Sequence, residues 1–467
     1  MSRSKTLKTV FAAVTVVALA IPGVAGAKLS ASAQKAAEKA GADAYIYGYA
    51  PVDMDKSVSR FPQNTVINVQ YLATDLTRSI VKPNADTLYT IMVLDVGTDP
   101  VIIHTPNTGS RYFGLEILDS YTNVFGYIGS RSTGTTGGDF AIVGPGWSKT
   151  KTPLKKSVKK VIQSSTPRVW VIGRTLVDDQ SDVSNVVALQ NQISAQRNSA
   201  VGTSTYLNTF NSNAPTPGGA QPMPSPNAAF FKEFGTVTKA QPPLAADKKF
   251  LTALKKYGIG PGLDPNKTQS TDVMAALVKG AVAAQAKMDA KLLQVRNSSV
   301  ATRNGWILFN GVGVYKTDYL TRAVIAQFGL GANQAEEAIY PAAVDDYAGN
   351  TLNGASGSTY KIHFDAGQTP PTNSAFWSIT LYAQDQYFVA NSLNRFAIGD
   401  RTPGLTHNQD GSTDIYVSAT QPSDAQHGSD NWLPAPAAQF NLMLRIYRPT
   451  SAVLNGTWKY PKIEKIS

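Results

Sequence analysis

The hydrophobic positions along this chain change period twice. Between Arg60 and Arg174 they fall in runs of strand length: Thr87–Val96, Val101–His104, Arg111–Leu118, Asn123–Ile128, Phe140–Val143 and Val169–Gly173. Turn residues separate them at Gly97-Thr98-Asp99-Pro100, Pro106–Ser110 and Thr133–Asp139. Short strands at this spacing predict an antiparallel sandwich. The period then becomes helical. Asp182 is placed to cap a helix over Val183–Arg197, and Ala246–Tyr257 reads as a helix stopped by Gly258. Asp272 opens an amphipathic helix with Val273, Ala276, Leu277, Gly280, Ala281, Ala284, Met288, Leu292 and Val295 on one face. Five prolines within Asn211–Asn227 predict a surface loop.

The last third returns to strands. Asp318 caps Tyr319–Phe328 with Gly329 after it, and Asn333 to Glu336 has the form of a capping box for a short helix. Strands follow at Thr359–Phe364, Phe376–Tyr382, Asp414–Ser418 and Phe440–Tyr447. In the last, Phe440, Leu442, Leu444 and Ile446 share one face; Asn441, Met443, Arg445 and Tyr447 share the other. Near the start, Ser30 caps a helix from Ala31 towards Tyr45. Its stripe of Ala33, Ala36, Ala37, Ala40 and Ala44 reads as a packing face.

A length of 467 residues calls for more than one core. The predicted organisation is a signal peptide at 1–27, a β-sandwich domain with a leading helix at 28–181, a helical segment at 182–303 and a second β-domain at 304–467. The fold class is mainly β with α. Export rests on Arg3, Lys5 and Lys8, the apolar run Val10–Ala20, the break at Pro22-Gly23 and the small residues Ala25-Gly26-Ala27. That run is too short for a comfortable membrane span, so the chain reads as periplasmic or extracellular and not membrane-spanning. With no cysteine, disulfides, thiol nucleophiles and thiolate metal sites are excluded. The net charge of +11 would suit nucleic acid, but export removes that partner. Six lysines in Lys149–Lys160 read as a solvated loop or ribbon, with a patch for an anionic ligand as the alternative. A homo-oligomer stays open.

Candidate chemistry gathers at strand ends. Arg78, Asn84, Asp86 and Tyr89 flank one strand; Asp119, Tyr121, Thr122 and Asn123 flank the next. Asp86 and Asp400 are the carboxylates suited to general acid or base work. Arg131, Arg174, Arg395 and Arg401 are suited to holding an anionic group, with Tyr89, Tyr121 and Asn123 orienting it. Structural ion pairs and loop clamps explain the same residues equally well. The chain has no G-x-S-x-G, no G-x-x-x-x-G-K-[ST], no G-x-G-x-x-G after a strand and no H-E-x-x-H. Its histidines show no ligand spacing. Oxygen side chains alternate over Asn408–Asp414 as in calcium loops, yet Gly is not at the sixth position and no Glu closes the run. A turn at Asp410-Gly411 is the simpler reading.

Longer motifs carry a resemblance. These are KPNADTLYTIMVLDV at 82–96, DSYTNVFGYIGSRSTG at 119–134, IVGPGW at 142–147 and WVIGRTLVDD at 170–179. The second half adds NGW at 304–306, DYLTRAVIAQFGLGAN at 318–333, AFWSITLY at 375–382, NRFAIGDR at 394–401, DGSTDIYVS at 410–418 and NWLPAPAAQFNLMLRIYRP at 431–449. In this order the chain resembles the exported bacterial family that pairs domains of unknown function 1254 and 1214. The resemblance implies an N-terminal β-sandwich, a helical segment and a C-terminal jelly-roll-like sandwich. It implies no catalytic residues. The expectation is therefore a hydrolase or lyase acting on a polar small molecule or saccharide in a cleft between the β-domains. The alternative is a non-catalytic envelope protein that binds a glycan or a protein.

Overall fold

The computed structural model describes residues 29–78, 81–215, 223–296, 302–309, 311–422 and 429–467. The expected signal peptide lies outside these residues, as does part of the proline-rich loop. The fold is mixed α/β, with four sheets, a long first helix and a helical middle segment.

The first two sheets enclose one core. A six-stranded sheet has the order 208–212, 65–69, 87–95, 168–176, 113–119, 124–129. A four-stranded sheet has the order 158–163, 138–143, 101–105, 194–197. Most pairs are antiparallel, but Thr65–Val69 runs parallel to Asn208–Ser212, and Gly138–Val143 runs parallel to Val158–Gln163. Met92, Leu94, Ile103, Leu115, Ile142 and Val171 pack between the sheets. The chain therefore supplies strands to this first unit past the expected boundary at 182. The predicted helix over Val183–Arg197 ends at Gln190. Ser194–Arg197 is instead an edge strand against Val101–Thr105, because pairing with an open ladder outweighs helix propensity.

The second unit repeats the plan. A seven-stranded sheet is built around Phe440–Tyr447 and Trp377–Ala383; a four-stranded sheet is built around Thr413–Ser418 and Thr359–Phe364. Trp306, Ile362, Trp377, Ile379, Ile415 and Leu444 fill the space between them.

The helical layer binds these units together. Ser30 caps the first helix, its Oγ accepting from Ala33 N. That helix runs to Val58, well beyond Tyr45, and passes through Pro51. Proline has no N–H for the carbonyl four residues back, which belongs to Tyr47. Arg322 replaces the missing donor: its Nη2 donates to Tyr47 O at 2.8 Å. The buried guanidinium lies over the rings of Tyr47, Tyr121 and Tyr319. Tyr47 and Tyr319 both donate to the buried Asp247. The first helix also crosses Thr271–Arg296 at glycine. A Cβ on Gly41 would stand 2.0 Å from Leu277 O, and one on Gly280 would stand 1.9 Å from Glu38 O. No described helix is long and apolar enough to cross a membrane.

Candidate functional site

Strand alternation gives each large sheet an inner and an outer face. In Arg168–Leu176, Val169 and Val171 face the core, so Trp170, Ile172, Arg174 and Leu176 face out. Tyr89 and Gly114 lie beside Arg174 in register, and Glu116 lies beside Ile172. In the second unit, Ile379, Leu444 and Ile446 face the core, leaving Ser378, Thr380, Tyr382, Arg445 and Tyr447 on the outer face. These two outer faces meet along a seam.

The stretch 81–86 wedges into the seam. Arg445 Nη2 donates to the carbonyls of Lys82 and Pro83 at 3.0 and 3.3 Å. Tyr382 OH donates to Pro83 O at 2.7 Å, and Asn84 Nδ2 donates to Tyr447 OH at 2.9 Å. Lys82 takes a positive φ of 51°, a left-handed conformation that a lysine rarely adopts.

Next to the wedge lies a buried carboxylate–guanidinium pair. Arg174 Nη1 donates to Glu116 Oε2 at 2.8 Å, and Arg174 Nη2 donates to Gly331 O at 2.9 Å. The Asn333 amide donates to Glu116 Oε2 at 3.3 Å and accepts from Tyr340 OH at 2.5 Å. With the Asn333 amide engaged there, no helix follows it: 335–337 forms a turn and not the expected short helix. Glu116 Oε1 is buried with no partner. Burial raises the Glu116 carboxyl to about 7, against the opposing pull of Arg174. Glu337, held by Tyr112 OH at 2.8 Å and Arg131 Nε at 2.6 Å, closes this end.

Arg445 differs from Arg174 in having no carboxylate. Besides the two carbonyls, it bonds Thr380 Oγ1 and Tyr382 OH. Among the described residues nothing acidic pairs with it. Lys82 is in the same position: its Nζ lies 4.5 Å from the centre of the Phe328 ring and makes no ion pair. Burial, then the nearby Arg445 charge, lowers Lys82 to about 8. Lys82 and Tyr340 are surrounded by protein atoms, yet both keep partial solvent access, as does Tyr89. Lys82, Tyr89, Arg174, Tyr340 and Arg445 gather along the seam, with Arg174 and Arg445 buried in it.

The sequence-selected residues divide. Tyr89 and Arg174 lie in the seam, and Arg131 holds Glu337 there. Asp86, Asp400 and Arg401 form an ion-pair cluster between the two units. Arg401 donates to Asp86 Oδ1 at 3.0 Å and to Asp400 Oδ1 at 2.7 Å, and Ser378 donates to Asp86 Oδ2 at 2.6 Å. Asp86 is buried, whereas the Asp400 side chain is 31% exposed. Burial raises Asp400 to about 6 while Arg401 opposes it. Tyr121 is far from the seam in function: its OH donates to Gln241 O within the helical core. Asn123 closes a turn onto Asp119. Arg395 clamps the carbonyls of Ser429, Asp430 and Trp432. Within Asn408–Asp414 the oxygen side chains bond one another: Ser412 Oγ donates to Asp410 at 2.6 Å and Asn408 Nδ2 to Ser412 Oγ at 2.8 Å. Asp414 also pairs with His363.

Glu116, Lys82, Tyr340, Tyr382, Arg445 and Tyr447 were not selected from sequence. The outward face of Phe440–Tyr447 was legible, but nothing local marks it as facing another unit. A separate hollow of about 280 Å³ lies on the first four-stranded sheet between His104, Asp139 and Tyr206, away from these residues.

The chain pairs two regions, each defining a family described as a protein of unknown function: DUF1254 at residues 63–197 and DUF1214 at residues 337–451. It is a protein of that paired kind. The seam is where the two regions meet, with Tyr89, Glu116 and Arg174 from the first and Tyr340, Tyr382 and Arg445 from the second. The crystal structure of the VPA0106 protein from Vibrio parahaemolyticus is 24% identical, covers 92% of this chain and 100% of its own, and superposes with a TM-score of 0.65. It shares the fold. An uncharacterized protein from Burkholderia cenocepacia is 11% identical over 93% of this chain and 95% of its own, with a TM-score of 0.45. No curated protein matches.

Proposed function

We propose that the protein binds a small organic anion at the seam between its two β units and acts on it by proton transfer, as a hydrolase or lyase, after export from the cytoplasm. The carrying observation is Arg445 beside Lys82. The Arg445 guanidinium bonds the Lys82 carbonyl, and neither Arg445 nor Lys82 pairs with a carboxylate among the described residues. Such a pair is unfavourable alone and favourable around an anion. The Tyr89 hydroxyl, near both Arg174 and Arg445, is the group placed to exchange a proton with the ligand. A carboxylate, a phosphate ester or an acidic saccharide meets this demand. We read the second unit as a jelly-roll-like scaffold for the site.

Calorimetric titration with these three ligand classes tests the reading. At least one class binds, and Lys82→Met weakens it by roughly tenfold, the loss of about one favourable charge contact. Tyr89→Phe keeps binding and removes turnover. If no class binds, or if Lys82→Met binds as tightly as the native protein, the reading is wrong. For export, N-terminal sequencing of the protein recovered from cells should begin at Lys28; a start within 1–8 contradicts it.

A further inference from the structure

A row of polar side chains crosses the outer face of the first four-stranded sheet, apart from the seam. Ile103, Phe140 and Ala195 point into the core, so their chain neighbours His104, Asp139 and Ser194 point out. Strand register sets the three side by side. His104 stands directly opposite Asp139 on one flanking strand and directly opposite Ser194 on the other. Side chains paired in this way have Cβ atoms about 5 Å apart. His104 Nδ1 bonds Asp139 Oδ1 at 2.8 Å, which leaves the far ring nitrogen, Nε2, for another partner. The row borders the hollow of about 280 Å³, whose other walls are Ile102, Gln196 and Tyr206. Gln196 Oε1 is buried without a partner, so no bond through that oxygen ties the carboxamide down. The His104 side chain is 50% exposed, which leaves it open to a substrate arriving from solvent.

We infer that this hollow is a second site that hydrolyses small carboxylic esters, with Ser194 as nucleophile, His104 as general base and Asp139 as the residue that positions His104. The Asp139 carboxylate keeps the imidazole proton on Nδ1, so the Nε2 lone pair is the one that receives the Ser194 proton. The bond from Ser194 Oγ to Nε2 closes with substrate in place, as such bonds tighten on forming the complex. Oγ adds to the ester carbonyl carbon while its proton moves to Nε2. The carbonyl oxygen takes up negative charge, and Gln196 Nε2–H donates to it. The bond to the alkoxide then breaks, and the alkoxide leaves as the alcohol with the proton from Nε2. Water adds to the acyl-serine and gives a proton to Nε2. The acyl–Oγ bond breaks, Oγ recovers that proton and the carboxylic acid departs. Ile102 and the Tyr206 ring supply the apolar wall for the acyl group.

The test treats the full protein at pH 7 with p-nitrophenyl acetate and, separately, with a fluorophosphonate, which phosphonylates activated serines. Nitrophenol release should fall at least roughly hundredfold in Ser194→Ala and in His104→Ala. Asp139→Asn should lower kcat and leave KM, because Asp139 acts only through His104. Peptide mass spectrometry should place the phosphonyl group of the labelled native protein on Ser194. Release that survives Ser194→Ala, or native protein without a phosphonyl group on Ser194, overturns the inference. The labelling needs only the native protein, so it decides the matter even if a variant does not fold.

Discussion

Single residues set the pH behaviour. Glu116 holds its proton to about 7 in the folded protein, above the 4.5 of an ordinary glutamate. Between these values the folded state binds more protons than the unfolded chain. Stability from this group is therefore complete below about pH 4.5 and is lost as pH rises towards 7. Asp400, raised to about 6, acts in the same sense. Glu116→Gln imitates the protonated form, so its urea-unfolding midpoint should fall less between pH 5 and 8 than that of the native protein. Equal slopes would contradict this. Lys82 works the other way on ligands. Held down to about 8, it loses its charge early, so anion affinity should drop above pH 8, and Lys82→Met should lack that drop.

Secondary-structure elements carry the strongest packing predictions. The first helix and Thr271–Arg296 approach so closely at Gly41 and Gly280 that a methyl group at either meets backbone carbonyl oxygen. Gly280→Ala should cost about 1–3 kcal/mol, read from urea unfolding, and a neutral result would contradict this contact. Asp86 and Arg401 clamp Thr87–Asp95 to the second unit. Arg401→Gln leaves the buried Asp86 charge with only the Ser378 hydroxyl and no cation, and should destabilise by about 3 kcal/mol, whereas adding Asp86→Asn should recover part of that loss. Additive losses would deny the coupling. Ala37, Ala40, Ala44 and Gly280 were legible as packing positions, whereas Ala33 and Ala36 are exposed and Gly41, which makes the crossing, was not singled out. The length of the first helix was not legible, because Pro51 looks like a stop until Arg322, 271 positions away, is seen to satisfy the Tyr47 carbonyl. Ser194–Arg197 was misread for a related reason: its partner strand is Val101–Thr105, nearly a hundred residues earlier.

At the scale of the molecule, polar side chains and the 81–86 wedge join the two β units. Tyr112 meets the stacked pair Phe376 and Tyr447 edge-on across the seam, and Arg401 lies 4.3 Å over Phe376. Both alternating strand patterns and most of the candidate arginines could be read from sequence. The face-to-face meeting could not, since alternation shows which residues face out and not what they face. That is why Tyr89 and Arg174 were found while Glu116, Tyr340 and Arg445 were missed. The central claim is an anion seated between Lys82 and Arg445. The most direct measurement is the anomalous scattering of crystals soaked in bromide. The account predicts a bromide peak in the seam within contact distance of Lys82 Nζ and the Arg445 guanidinium, lost in Lys82→Met crystals. Bromide confined to surface lysines, with the seam empty, would contradict it.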